Sequence, residues 1–291
     1  MNLEFHRPAS IDEAVAQAGR LGENVRFLAG GTDVMIQMGR GRIDVGHLID
    51  ISRLRELATI VEESDCITIG AMTTHKAIER HPVFRDVYLA FSQAASVVGG
   101  HQVRNVATIG GNIVNASPAA DLVPVLHSLD ASVVLRSAAG TRSLPIGQFI
   151  SGPGNTDRAQ DELLTHIRFP RLPSGSTTVF LKAGRRRAME ISIVCVAAAL
   201  TLDADRATCN SVRLAIGAAA PTAFRAASAE ESLIGKVVTD QALARAGQLA
   251  AEMAAPIDDV RASADYRRLL VARMSARALS QCAVRIRKAE K

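Results

Sequence analysis

Residues 103–121 read VRNVATIGGNIVNASPAAD, and an earlier stretch at 28–38 reads LAGGTDVMIQM. Each sets a glycine pair among small hydroxyl or amide residues at what reads as a strand-to-loop junction: Leu28-Ala29-Gly30-Gly31-Thr32-Asp33 and Thr108-Ile109-Gly110-Gly111-Asn112. A pyrophosphate needs several backbone N–H donors converging on it, and glycine lets the main chain come close. Thr32, Thr108 and Asn112 add side-chain donors. One glycine pair alone is ordinarily a tight turn. Two alike pairs let a single dinucleotide bridge them, one cradle on each side of its diphosphate. Neither GxGxxG nor GxxxxGK[ST] occurs, which disfavours a Rossmann or P-loop site.

Working outward, Ser10 and Glu13 have capping-box spacing, Ser10 accepting from the third helical amide and Glu13 reaching back, ahead of a helix over 11–21. A strand at 25–29 and a short helix at 34–38 follow. Short apolar segments at 47–51, 59–61 and 66–69 precede helices at 74–80 and 86–98. The stretches 103–111, 132–135 and 142–144 read as strands and 121–129 as a helix. Pro170-Arg171-Leu172-Pro173-Ser174-Gly175-Ser176 reads as the main linker. Strands at 177–183, 191–202 and 211–218 and helices at 239–254 and 263–287 lie beyond it. The expected class is α+β, with lobes at 1–57 and 58–172 and a C-terminal sheet-plus-helices domain at 173–291.

With 291 residues, 48% of them hydrophobic, the chain can bury a substantial core. The net charge of +5 is dispersed, and two Tyr, eight Phe and no Trp leave little for stacking bases, so no nucleic-acid partner is expected. Arg185-Arg186-Arg187 reads as solvated surface. The start MNLEFHRPAS lacks a secretory pattern, and no run nears the ~18 apolar residues of a membrane span, so a cytoplasmic location is expected. Cys66, Cys195, Cys209 and Cys282 are scattered without a CxxC pair or zinc spacing. No metal site is therefore assigned, and any iron–sulfur centre must sit on another chain. No nucleophile–base pair stands out, so no catalytic residue is assigned. His75 and His101 are taken as structural, and Arg104 as a brace for the second glycine loop.

The glycine segments, together with AMTTHKAIE at 71–79, SGPGNT at 151–156, FLKAGRRRAMEISIV at 180–194, VRLAIGAAAPTAFRA at 212–226 and DVRASADYRR at 259–268, resemble the flavoprotein subunits of molybdenum hydroxylases. That family includes bacterial xanthine, carbon monoxide and nicotinate dehydrogenases. The resemblance spans nearly the whole chain in order and is strongest toward xanthine dehydrogenase-like and carbon monoxide dehydrogenase-like members. It implies a two-lobed FAD domain of the vanillyl-alcohol-oxidase type, with FAD held non-covalently between the lobes. Carried over, Leu28, Ala29, Gly30, Gly31, Thr32, Asp33, Val34 and Met35 would wrap the diphosphate, and Thr108, Ile109, Gly110, Gly111 and Asn112 would form the second cradle. Asp121 would bind the sugar or adenine end. Val98, Leu164 and Lys182 would contact the flavin, Lys182 placing a positive charge near its ring or chain. The family often has Asp where this chain has Glu190, whose ordinary role would be an ion pair with Arg186 or Arg187. The implied partners are a molybdenum-cofactor large subunit and a [2Fe-2S] small subunit, in a dimer of heterotrimers, with NAD+ or a quinone as acceptor. The cysteine-rich insertion of benzoyl-CoA-type reductases is missing. Two other functions fit the same residues: a self-contained flavin-dependent reductase or oxidase, and a flavin-free nucleotide-binding scaffold subunit. Gly110→Val or Gly111→Val is expected to crowd the diphosphate and abolish FAD retention while sparing the fold.

Overall fold

A computed structural model describes residues 3–186 and 188–289. The first layer is a three-stranded parallel sheet of β1 (Glu4–His6), β2 (Val25–Leu28) and β3 (His47–Asp50), in the order β1-β3-β2. Parallel neighbours need crossovers, here α1 (Ile11–Leu21) and α2 (Val34–Gly39). Ser10 caps α1 as expected, its Oγ accepting from the Glu13 amide at 3.2 Å. The return bond differs from a capping box, because Glu13 accepts from the Ala9 amide at 2.7 Å rather than from that of Ser10. Ala14, Val15 and Ala18, at helical spacing, turn one face of α1 into the core with Ile49, Leu57 and Leu163.

The second layer is a five-stranded antiparallel sheet in the order β4-β5-β10-β6-β7, formed by β4 (Ile60–Glu62), β5 (Cys66–Gly70), β6 (Ser132–Ser137), β7 (Gly140–Pro145) and β10 (Leu163–Pro170). Between β5 and β6 run α3 (His75–Arg80), α4 (Leu89–Ser96), α5 (His101–Val106), α6 (Ile109–Val114) and α7 (Leu122–Ser128). The one-turn α8 (Ile146–Phe149) and the ribbon of β8 (Ile150–Gly152) and β9 (Asn155–Thr156) follow β7.

The strand expected at 103–111 is instead two short helices. Val103, Val106 and Ile109 are β-branched, but propensity is a weak prior that packing overrides. Thr108 takes an extended conformation and its Oγ1 accepts from the Gly111 amide at 3.1 Å, which starts α6. Ile109 and Ile113, four apart on one face, are then both fully buried.

The third layer is an antiparallel sheet in the order β11-β12-β13-β14, comprising β11 (Ser176–Ala183), β12 (Val194–Leu202), β13 (Cys209–Gly217) and β14 (Phe224–Arg225). The helices α9 (Ala227–Glu231), α10 (Asp240–Glu252) and α11 (Ala264–Lys288) complete it. Every residue of β12 is buried, because the strand contacts α7 as well as α11. Its continuous VCVAAALTL run reflects that burial. Arg267, buried on α11, donates to the Ile193 and Ala218 carbonyls at 2.6 and 3.0 Å and to Asp259 at 2.7 Å. It anchors the long helix to the loops at the ends of β12 and β13. Among the described residues no helix is long and apolar enough to cross a membrane.

Candidate functional site

A cavity of about 710 Å³ opens where the loop after β2 faces α5, α6 and the start of β10. Both glycine segments reach it. Ala29, Gly30, Gly31, Thr32, Asp33, Val34, Val98, Thr108, Gly110, Gly111, Asn112 and Leu164 are all on its wall. Leu28, Met35, Ile109, Asp121 and Lys182 are not among the lining residues. Leu28 and Met35 instead pack beneath Gly31, where side-chain atoms of each would lie 3.3 Å from an added Cβ and the backbone has φ +70°. Ile109 belongs to the core.

The two glycine segments differ in what they offer. In the second, the Ile109 amide donates to Thr73 O, Gly110 to Ala71 O, Gly111 to Thr108 Oγ1 and Asn112 to Thr108 O. The amides of 109–112 are thus engaged within the protein, and in this segment the Thr108 amide is the one without an acceptor among the described residues. In the first segment the successive amides of Gly30, Gly31, Thr32, Asp33 and Val34 have no acceptor among the described residues. Consecutive free amides on a concave surface form an anion-binding nest.

Glycine is required here by the protein's own packing. A Cβ on Gly30 would stand 2.0 Å from the Val106 carbonyl oxygen, and one on Gly110 would stand 2.7 Å from the Ala71 carbonyl oxygen. A Cβ on Gly111 would meet only the Thr108 hydroxyl, at 3.2 Å. The expectation that Gly110→Val spares the fold is therefore overturned. The two walls are further tied by Gln37 Nε2, which donates to Asn115 Oδ1 at 3.0 Å.

Asp121 and Lys182 form a buried pair at 2.6 Å. Lys182 Nζ also donates to the Val97 and Glu190 carbonyls at 3.1 and 2.9 Å, and the Ser192 hydroxyl donates to the other Asp121 oxygen at 2.5 Å. Burial raises the Asp121 carboxyl pKa, and Lys182 and Ser192 oppose that shift. Asp121 begins α7 without a side-chain capping bond, since both its oxygens are engaged across to β11 and the loop before β12. Glu190 pairs with Arg186 at 2.9 Å, one of its two expected partners; Arg187 lies outside the described residues. Arg185 is less free than a solvated cluster implies, donating to the Val260 and Arg261 carbonyls at 2.6 Å. Arg104 braces α5 rather than the second glycine loop, through the Val98 carbonyl at 3.3 Å and Glu79 at 3.4 Å.

Several wall residues carry no sequence signal. Arg26 and Arg158 come from a strand and a loop 132 positions apart, and nothing in their local spacing joins them. Arg158 is fixed by the Ala159, Gln160 and Glu162 carbonyls, at 2.9, 3.1 and 2.7 Å. Its pKa is lowered by burial and then by the like charge of Arg26. An anion in the cavity relieves that repulsion.

His75 lines the cavity, and its Nδ1 is buried without a partner among the described residues, as is Asn112 Oδ1. Burial, with Arg104 nearby, pushes the His75 pKa down to about 4, and burial beside Arg225 does the same for His127. The unfolded chain therefore takes up these protons first. The histidine contribution is level above ~7, falls as pH drops through the unfolded value of ~6.5 and is fully lost below ~4, on the order of 3 kcal/mol per histidine. Urea midpoints measured across that range should decline, and His127→Gln should remove about half of the slope. A flat profile would contradict the assignment.

These features fit the class of proteins that hold an extended anionic dinucleotide in such a cavity. The family described as the FAD binding domain in molybdopterin dehydrogenase matches residues 1–172, and the carbon monoxide dehydrogenase flavoprotein C-terminal domain matches 179–282. The carbon monoxide dehydrogenase medium chain of Hydrogenophaga pseudoflava is 32% identical, covering 96% of each chain. The xanthine dehydrogenase FAD-binding subunit of Escherichia coli O157:H7 is 34% identical, covering 95% of this chain and 94% of its own. Among solved structures, carbon monoxide dehydrogenase from Hydrogenophaga pseudoflava superposes with a TM-score of 0.93 over 98% of both chains at 32% identity. Quinoline 2-oxidoreductase from Pseudomonas putida 86 gives 0.90 at 27% identity, over 97% of both. The chain belongs to the family of FAD-binding medium subunits of molybdenum hydroxylases, and is an oxidoreductase flavoprotein subunit. FAD is its cofactor, and the residues present fit it. The cavity is within the ~300–1,000 Å³ of small-molecule and cofactor sites, it carries a run of free amides, and two buried polar atoms on its wall lack partners among the described residues.

Proposed function

We propose that this chain is the electron relay of a three-component hydroxylase, working with a molybdenum-cofactor subunit and a [2Fe-2S] subunit in the cytoplasm, as a dimer of such heterotrimers. In this reading residues 1–57 and 58–172 are the two cofactor-holding lobes and 173–291 the C-terminal domain. Bound FAD supplies the chemistry that accepts electrons singly from iron–sulfur clusters and delivers them in pairs to NAD+ or another acceptor. The free amides of Gly30 to Val34 are the observation that carries the proposal, because they are donors without acceptors among the described residues on a cofactor-sized cavity.

Those amides, with Thr32, hold the diphosphate. Thr108, Gly110, Gly111 and Asn112 close the opposite wall, Asn112 through its unpaired Oδ1. Val98 and Leu164 exclude water, and Arg26 and Arg158 add positive charge. Asp121 and Lys182 act by joining the second layer to the third. The four cysteines are free and buried, and their positions match no cluster motif, consistent with electrons arriving from a partner.

The test is anaerobic stopped-flow on the assembled complex, reduced through its own substrate and then mixed with NAD+ or a quinone. Flavin reoxidation by either acceptor within turnover time supports the relay. A flavin that stays oxidised while the iron–sulfur clusters are reduced sinks it.

A further inference from the structure

The first sheet carries a side-chain cluster outside the cavity wall. Glu4 and His6, two apart on β1, point to one face of the strand, and His47 on β3 is the register partner of Glu4. The intervening Phe5 turns away, with the Arg7 guanidinium 4.9 Å from its ring centre. His6 Nε2 lies 3.2 Å from His47 Nδ1, and Glu4 Oε2 lies 3.8 and 3.3 Å from the same two nitrogens. A single point can sit about 2.0 Å from all three atoms, which is the length of a Zn–N or Zn–O bond, ~2.0–2.2 Å.

Without a cation, the trio is held together only by one hydrogen shared from His47 Nδ1. If His47 Nδ1 carries hydrogen, it can donate to Glu4 or to His6 but cannot then accept from His6. If both nitrogens carry hydrogen, the two N–H groups face each other. A cation uses all three lone pairs together. We infer that Glu4, His6 and His47 form a binding site for one borderline divalent cation, Zn2+, at the edge of the first sheet. Two imidazoles and one carboxylate are one of the donor sets that ion takes. The imidazoles are 24% and 25% exposed and Glu4 is 63% exposed, so the fourth coordination position faces water. The bound ion would clip the edge strand β1 to the central strand β3, on the layer whose other edge strand, β2, runs into the loop of free amides.

The experiment uses the full flavin-loaded chain, stripped with a chelator and dialysed against Zn2+ alone, with Co2+ as a spectroscopic substitute. One Zn2+ per chain is expected, a rise in melting temperature on binding, and visible ligand-field bands with Co2+. His6→Gln and His47→Gln should each weaken Zn2+ binding by more than about 100-fold, at least as much as loss of a supporting outer-shell group, while flavin content reports that both variants still fold. Absence of saturable uptake by the parent chain, or uptake by either variant as tight as the parent's, would overturn the site and leave a hydrogen-bonded histidine pair.

Discussion

Gly30→Ala is expected to yield a chain with little flavin and a melting temperature lower by roughly 5–10 °C. The new methyl would stand 2.0 Å from the Val106 carbonyl oxygen and 3.0 Å from Ala107 Cα. Both are backbone atoms at the junction of α5 and α6, so no side chain can rotate away. Overpacking of this kind costs about 1–3 kcal/mol, and more where backbone must move. The loop would lift from the opposite wall, and the amides of Gly31 to Val34 would move with it. Thermal melts and the flavin-to-protein absorbance ratio measure the two effects. Gly111→Ala is the control: its methyl meets only the Thr108 hydroxyl at 3.2 Å, so it should melt within a few degrees of the parent. Gly110→Val, pressed against Ala71, should destabilise as Gly30→Ala does. A Gly30→Ala chain that keeps its flavin and its melting point would show that the loop does not pack against α5 as described.

Lys182→Met should cost about 3–5 kcal/mol, the usual penalty for stranding one member of a buried ion pair. Lys182 and Asp121 side chains are only 11% and 6% exposed, so water cannot replace the lost partner. The Val97 and Glu190 carbonyls would lose a donor as well. Because the bond joins α7 to β11, its loss should loosen the second layer from the third. Pairing the change with Asp121→Asn removes the stranded charge, and the double variant should recover a large part of the loss in denaturant midpoints. Flavin content per folded chain separates a joining pair from a cofactor-contacting one. It should stay near the parent value, because neither residue lines the cavity. Flavin lost in proportion to neither unfolding nor melting point would return Lys182 to the cofactor.

Much of the architecture was legible locally. Ser10 fixed the start of α1, and the apolar positions Ala14, Val15 and Ala18 fixed its buried face, because capping and helical periodicity act within one or two turns. The proline-rich stretch at 170–176 runs from the last residue of β10 to the first of β11 for an equally local reason: its two prolines and small polar residues break the apolar pattern. The two glycine segments were also visible, as was their convergence on one cavity.

What each segment does there was not legible. Whether an amide is free or bonded depends on which carbonyl folding brings opposite it. Thr73, Ala71 and Thr108 occupy the amides at 109–112, while none of the described residues reaches those at 30–34. Apolar β-branched residues at 103–109 suggested a strand, and the burial of Ile109 with Ile113 made helices of them. Arg26 meets Arg158, Asp121 meets Lys182 and Glu4 meets His47 only through strand pairing and packing between distant segments. The sequence by itself determined the glycine segments and elements such as α1, because those depend on neighbours along the chain. Tertiary structure alone decided which donors stay free, which charges are buried together and which ligands converge, because those depend on neighbours in space.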